Sequence, residues 1–179
     1  SYYTDYLQKH PEDKQARLEL ARAFVWANRL DEATEHYKIY NEENPDSKDG
    51  YIEYARTESW RGGYATALNT LQLYKERFGE DQEYLDIKAG ILTWSNRPTQ
   101  AFEIIDPKLN KEPKNYSYNF MNTAALHKHR EPARSLESLE RTEAISPDSN
   151  DNIFLRKIVT TDLRTSVRAG GKYYVDSDN

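Results

Sequence analysis

The sequence predicts an all-α protein built as a stack of antiparallel helix pairs with a 34-residue period, and three observations carry the prediction. The tryptophans, Trp26, Trp60 and Trp94, stand 34 residues apart. Ala21, Ala55 and Ala89 keep the same step, as do Ala33, Ala67 and Ala101, and Tyr6, Tyr40 and Tyr74. Pro11, Pro45, Gly79, Pro113 and Pro147 set a helix breaker at the close of each period, where the chain must turn before starting again.

Residues 1–13 read as a half repeat, because Tyr6 to Pro11 matches the closing helix of a unit whose first half is missing. The opening Ser-Tyr-Tyr-Thr-Asp-Tyr has neither a signal peptide nor a methionine, so an excised piece of a longer protein is expected. In the first full repeat, 14–47, Leu18, Leu20, Ala21 and Phe24 fall at helical spacing, followed by Leu30, Ala33 and Tyr37 on a second helix. Asn28-Arg29 separates the two helices. Gly62-Gly63 and Asn96-Arg97 occupy the same phase in repeats 48–81 and 82–115, and Asn and Gly accept the backbone angles of a tight turn. Pro98 and Pro132 suit the first turn of the second helix in their repeats. Repeat 116–149 departs most, with Thr123 in place of the first-helix alanine and Ser135 in place of the second. Residues 150–166 predict a capping helix, partly apolar through Ile153, Leu155, Ile158 and Val159. Residues 167–179 predict a short strand and turn: Gly170 and Gly171 disfavour helix, Tyr173, Tyr174 and Val175 favour strand, and Asp176 to Asn179 is polar. A lone strand needs partners, which are expected in sequence beyond Asn179.

Composition agrees with an elongated array. Hydrophobic residues make up 37% and charged residues 31%, with a mean hydropathy of −0.99, so polar side chains need the large surface that stacked repeats provide. The net charge of −5 and pI near 5.5 exclude nucleic acid or an anionic membrane as main partner, since no basic surplus exists to release counterions. No apolar run approaches the length of a transmembrane helix. The absence of cysteine removes disulfides, thiolate metal sites and cysteine nucleophiles together, and is compatible with cytoplasm and periplasm.

The candidate binding residues emerge from helical phase. At about 100° per residue from Ala21, Phe24 and Leu20 lie on the core side, whereas Arg22, Trp26 and Glu19 fall at about 100°, 140° and 160°. Glu19, Arg22 and Trp26 therefore form a stripe away from the core. Glu53, Arg56 and Trp60 reproduce it in the next repeat, and the third keeps only Trp94, with Ile87 and Gly90 at the other phases. An indole flanked by arginine and carboxylate suits a sugar, the ring covering an apolar C–H face while charged groups bond hydroxyls; it suits a peptide equally. The alternative is structural: Glu19–Arg22 and Glu53–Arg56 as ordinary i,i+3 pairs, and tryptophans packed between repeats.

No catalytic residue, metal site or cofactor is expected. His10, His36, His127 and His129 fall in different phases and are expected on the solvated surface, and His127 and His129, two apart, point to different helix faces. No glycine-rich phosphate loop or nucleophile motif is present.

Leu20-Ala21, Phe24, Leu30, Ala33, Tyr37 and Pro45 together resemble the tetratricopeptide repeat (TPR), over roughly residues 1–149. The resemblance implies a right-handed superhelix of helix pairs, with the Glu19, Arg22, Trp26, Glu53, Arg56, Trp60 and Trp94 stripe along its concave groove. A chaperone-type carboxylate clamp is not expected, because its lysine and asparagine phases carry Leu18, Glu19 and Arg22, then Ile52, Glu53 and Arg56. The phrase from Leu20-Ala21-Arg22 to Trp26 and Asn28-Arg29, repeated as Tyr54-Ala55-Arg56 to Trp60, resembles arrays that precede bacterial outer-membrane β-barrels. Ala169 to Asn179 is similar to the opening strand and turn of such a barrel. That resemblance implies a non-catalytic periplasmic scaffold of an exopolysaccharide export protein, attached to the outer membrane through a C-terminal barrel. Its partners would be a polymer-modifying enzyme or secretion component, or the emerging polysaccharide. The competing expectation is an adaptor, cytoplasmic or periplasmic, that binds a partner's peptide or helix in the same groove.

Overall fold

The computed structural model describes residues 2–161, and every regular element among them is an α-helix. The chain divides into two compact units, Ser1–Ile91 and Leu92–Asn179. The first holds α1 (Tyr2–Lys9), α2 (Lys14–Trp26), α3 (Leu30–Glu43), α4 (Lys48–Trp60) and α5 (Tyr64–Phe78), and α6 (Gln82–Trp94) runs across the boundary. The second holds α7 (Pro98–Lys111), α8 (Tyr116–Lys128), α9 (Pro132–Ile145) and α10, helical over 150–161. Each of α1 to α4 packs on its successor, α8 packs on α7 and α9, and Tyr74 of α5 stacks on Tyr84 of α6. The predicted cap is thus helical as far as it is described, and the predicted strand at 167–179 lies outside the described residues.

Local chemistry sets where each helix begins. Asp13, Ser47, Asp81 and Asn115, 34 apart, are N-caps whose side chains accept from Ala16, Gly50, Tyr84 and Tyr118 N–H at 2.9, 3.4, 3.0 and 3.3 Å. The tyrosine series completes these caps from the preceding helix. Tyr6 Oη donates to Asp13 at 3.1 Å, Tyr40 Oη lies 3.2 Å from Ser47 Oγ, and Tyr74 Oη donates to Asp81 Oδ2 at 2.5 Å. At these three junctions one hydroxyl ties the end of the second helix to the start of the next pair, whereas Lys108 holds the tyrosine's phase before Asn115.

The turns inside each pair use the left-handed backbone region at one phase: φ is 56° at Asn28, 85° at Gly62, 60° at Asn96 and 61° at Arg130. Arg130 takes a conformation there that asparagine or glycine adopts at lower cost. Pro98 and Pro132 sit in the first turns of α7 and α9, as their spacing predicts.

Ala21, Ala55 and Ala89 are wholly buried, as are Ala33, Ala67 and Ala101. Small side chains there let paired helices approach closely. In the fourth repeat the same positions are kept small by a different means. Thr123 and Ser135 are both buried, and Ser135 Oγ donates to the Thr123 carbonyl at 3.3 Å. Thr123 Oγ1 lies 2.8 Å from Ser138 Oγ and 3.1 Å from Thr142 Oγ1, and Asn122 Nδ2 donates to Ser138 Oγ at 3.1 Å. The α8–α9 seam is thus a polar network with its hydroxyls partnered, as burial requires. On α10, Leu155 and Val159 join Ala124 and Leu139 in a core cluster, while Ile153 turns outward.

Candidate functional site

The stripe of α2 and α4 is held by a four-residue network. Arg22 donates to Glu53 from Nε at 3.1 and 3.0 Å and from a terminal nitrogen at 2.5 Å, and its other terminal nitrogen reaches Glu19 at 2.7 Å. Tyr37 of α3, itself buried, donates its hydroxyl to Glu53 Oε2 at 2.8 Å. The Glu53 bonds hold the guanidinium cationic well beyond the usual arginine range, and burial beside Glu53 keeps the Tyr37 phenol protonated. The geometry corrects the expected pairing: Glu19–Arg22 is an i,i+3 pair, but Glu53 serves Arg22 of the preceding repeat, and Arg56 reaches Glu83 at 3.4 Å. The ladder ends there because Ile87, 34 residues after Glu53, has no carboxylate.

The tryptophans divide. Trp26 is 90% exposed and Trp60 58% exposed, so neither indole is packed between repeats. Trp94, in the second unit, is half-buried, with ring centroids of Phe120 and Phe154 at 6.4 and 5.9 Å and Lys128 Nζ 5.6 Å above it. It packs against both rings within that unit. In the first unit, two open indoles flank a network of Glu19, Arg22 and Glu53 that carries one net negative charge. With Arg22 committed to two carboxylates, this face offers acceptors and aromatic surface rather than a free cation.

A recess of about 330 Å³ adjoins the network, lined by Tyr3, Tyr6, Asp13, Gln15, Ala16 and Glu19. The sequence reading missed Tyr3, although Tyr37 stands one 34-residue period later; Glu19 was a further usable signal, since it lines the recess and pairs with Arg22.

Among the histidines, His36 departs from expectation. It stacks on Phe24 at 5.5 Å with its Nδ1 buried, and burial with the nearby Arg17 charge depresses its pKa. His129 is exposed and lies 2.7 Å from Glu131. Among the described residues no group of His, Asp and Glu is arranged to hold a metal ion, and no helix is long and apolar enough to cross a membrane.

No curated protein matches the chain. Residues 1–47 match the family described as tetratricopeptide repeat. Among solved structures, a tetratricopeptide repeat protein from Parabacteroides merdae ATCC 43184 is similar with a TM-score of 0.78 at 15% identity, over 93% of this chain and 65% of that one. A fragment of MamA from Desulfovibrio magneticus RS-1 is similar with a TM-score of 0.64 at 11% identity, over 93% and 98%. YrrB, described as a TPR protein with an unusual peptide-binding site, is similar with a TM-score of 0.59 at 13% identity, over 92% and 84%. The family match thus covers residues 1–47, and over most of its length the chain shares its fold with solved tetratricopeptide-repeat structures.

Proposed function

We propose that this chain is a non-catalytic scaffold whose α2–α4 face, with Trp26 and Trp60 beside the Glu19–Arg22–Glu53 network, receives a partner, and that it forms the periplasmic part of an outer-membrane exopolysaccharide exporter. The observation that carries the binding reading is the exposure of the two indoles at one phase of consecutive repeats. Exposing them has no packing benefit, and exposed aromatics next to satisfied charges are the usual composition of an interface centre. The exporter assignment rests on the resemblance of the Leu20–Arg29 and Tyr54–Trp60 phrases to arrays that precede outer-membrane barrels. In that setting the bound species is a polymer-modifying enzyme, a secretion component or the emerging glycan. The net negative network favours a ligand that brings donors or positive charge, such as an amino-sugar polymer or a basic peptide, over an acidic polymer. The adaptor reading, with a partner's peptide or helix on the same face, draws on the peptide-binding site named for YrrB.

A photo-crosslinking residue placed at 26 or 60 of the full-length protein in its native cell tests the face, with exposed position 69 as control. A discrete protein adduct at 26 and 60 but not at 69 is expected. Equal labelling at all three overturns the reading. A glucosamine hexamer supplies the glycan arm: it should change tryptophan fluorescence, and Trp60→Ala with Trp26→Ala should abolish the change. Recovery of the full-length protein in the cytosol rather than the outer-membrane fraction would remove the exporter assignment and leave the adaptor.

A further inference from the structure

A second recess of about 330 Å³ opens on another side of α4, walled by α3 and α5. Tyr51 and Tyr54 of α4 form its floor, Lys38 and Glu42 line the α3 wall, and Leu73 and Arg77 line the α5 wall. Taking Ala55 as zero at about 100° per residue, Tyr54 and Tyr51 lie at about 260° and 320°, whereas Arg56, Trp60 and Glu53 lie between about 100° and 160°. The recess and the tryptophan stripe therefore use different faces of the same helix.

Two features distinguish this recess from ordinary repeat surface. Leu73 is 49% exposed, and Ile39, 34 residues earlier, is also exposed, giving the outer helices an apolar side chain at one recurring phase. The second is charge. In this acidic chain, Arg17, Arg22, Arg29, Arg56 and Arg61 each have a carboxylate partner. Lys38 and Arg77 have none among the described residues, and Arg77 instead lies 6.0 Å from the centre of the Tyr51 ring. Comparison with the preceding repeat shows that the fold does not require this. Stepping back 34 residues replaces Tyr51 by Arg17 and Arg77 by Glu43, and those two form an ion pair at 3.4 Å. Where the earlier junction closes its own charge, the later one presents an aromatic floor and open cations.

We propose that this recess is a second protein-docking surface and takes an acidic amphipathic segment of a partner protein. An aliphatic side chain of the segment enters between Tyr54 and Leu73, and an adjacent carboxylate lies between Lys38 and Arg77. The volume suits one or two side chains, and the apolar wall calls for a peptide rather than a glycan. Glu42, on the α3 wall, sets the orientation by disfavouring a second acidic residue at its end.

The test is selection of a random dodecapeptide display library on the 179-residue chain, followed by binding of recovered peptides to Arg77→Glu, Lys38→Glu, and a Trp26→Ala/Trp60→Ala double variant. The four changed wall and stripe positions are exposed, and circular dichroism checks that each variant is folded. Peptides with Asp or Glu next to Leu, Ile or Phe are expected. Their affinity should fall about tenfold or more with either charge reversal, fall with added salt, and stay unchanged in the tryptophan variant. Recovery of no peptide, of peptides without carboxylates, or of peptides indifferent to Arg77→Glu would overturn the proposal. Loss of binding only in the tryptophan variant would do the same, by assigning the peptides to the stripe.

Discussion

Replacing Glu53 by alanine should destabilise the protein far more than loss of a surface charge. Glu53 accepts from Arg22 through both oxygens and from the hydroxyl of Tyr37, which is 2% exposed. Its removal leaves that hydroxyl buried without an acceptor, which costs about 1 to 3 kcal/mol, and deletes charge-assisted bonds worth about 1.5 to 3 kcal/mol when fully buried. Arg22 is about one-third exposed and keeps Glu19, so the second contribution belongs at or below the low end of its range. A total of about 2 to 4 kcal/mol follows. Glu53→Gln, which keeps an acceptor for Tyr37, should cost about half as much. Urea denaturation followed by circular dichroism reads the change as a shift in midpoint at constant slope. The decisive comparison is a double-mutant cycle with Tyr37→Phe, which should return a coupling of about 1 kcal/mol, because without the hydroxyl there is nothing to strand. A loss for Glu53→Ala below about 0.5 kcal/mol, or strictly additive single changes, would refute the network as the joint between the first two repeats.

Arg130→Asn should stabilise the fold by about 0.5 to 1 kcal/mol, since φ is 61° there and asparagine already fills this phase at Asn28 and Asn96; a loss of stability in thermal denaturation would contradict the turn argument. The Tyr74–Asp81 bond predicts two pH windows. Asp81 is held at about 2 by the Tyr74 hydroxyl, the Tyr84 N–H and Lys48, so its contribution is complete above about pH 4 and is lost as pH falls toward 2. Tyr74 is pushed up to about 12 by burial and by Asp81, so its contribution is complete below about pH 10 and is lost as pH rises toward 12. Urea midpoints measured across both windows should flatten in Asp81→Asn, and Tyr74→Phe should remove the alkaline limb; unchanged profiles would show that the bond does not couple to folding.

Periodicity alone determined the architecture. A 34-residue step in alanine, tyrosine and helix breakers can be satisfied only by a unit that meets its neighbours the same way each time, so buried Ala21 and Ala55, and the turns at Asn28 and Gly62, were legible without coordinates. The cap series Asp13, Ser47, Asp81 and Asn115 was equally open to reading, because capping depends on residues three apart. The site was legible only as phase. Helical phase placed Glu19, Arg22 and Trp26 on one side of α2, but phase cannot say which side chain of the next repeat stands opposite. Arg22 could have closed on Glu19 alone; the spacing of α2 and α4 put Glu53 within its reach and left Arg56 to Glu83. Trp26, Trp60 and Trp94 are identical by period, yet two are open and one is packed, since Phe120 and Phe154 come from helices far along the chain. The fourth repeat makes the same point from the interior: Thr123 and Ser135 look like failures of the pattern until the α8–α9 seam supplies Asn122, Ser138 and Thr142 as partners. Local spacing sets backbone conformation because helix and turn hydrogen bonds close over a few residues. Which polar or aromatic group ends up satisfied is decided by residues brought together across tens of positions, and only the packed structure contains that information.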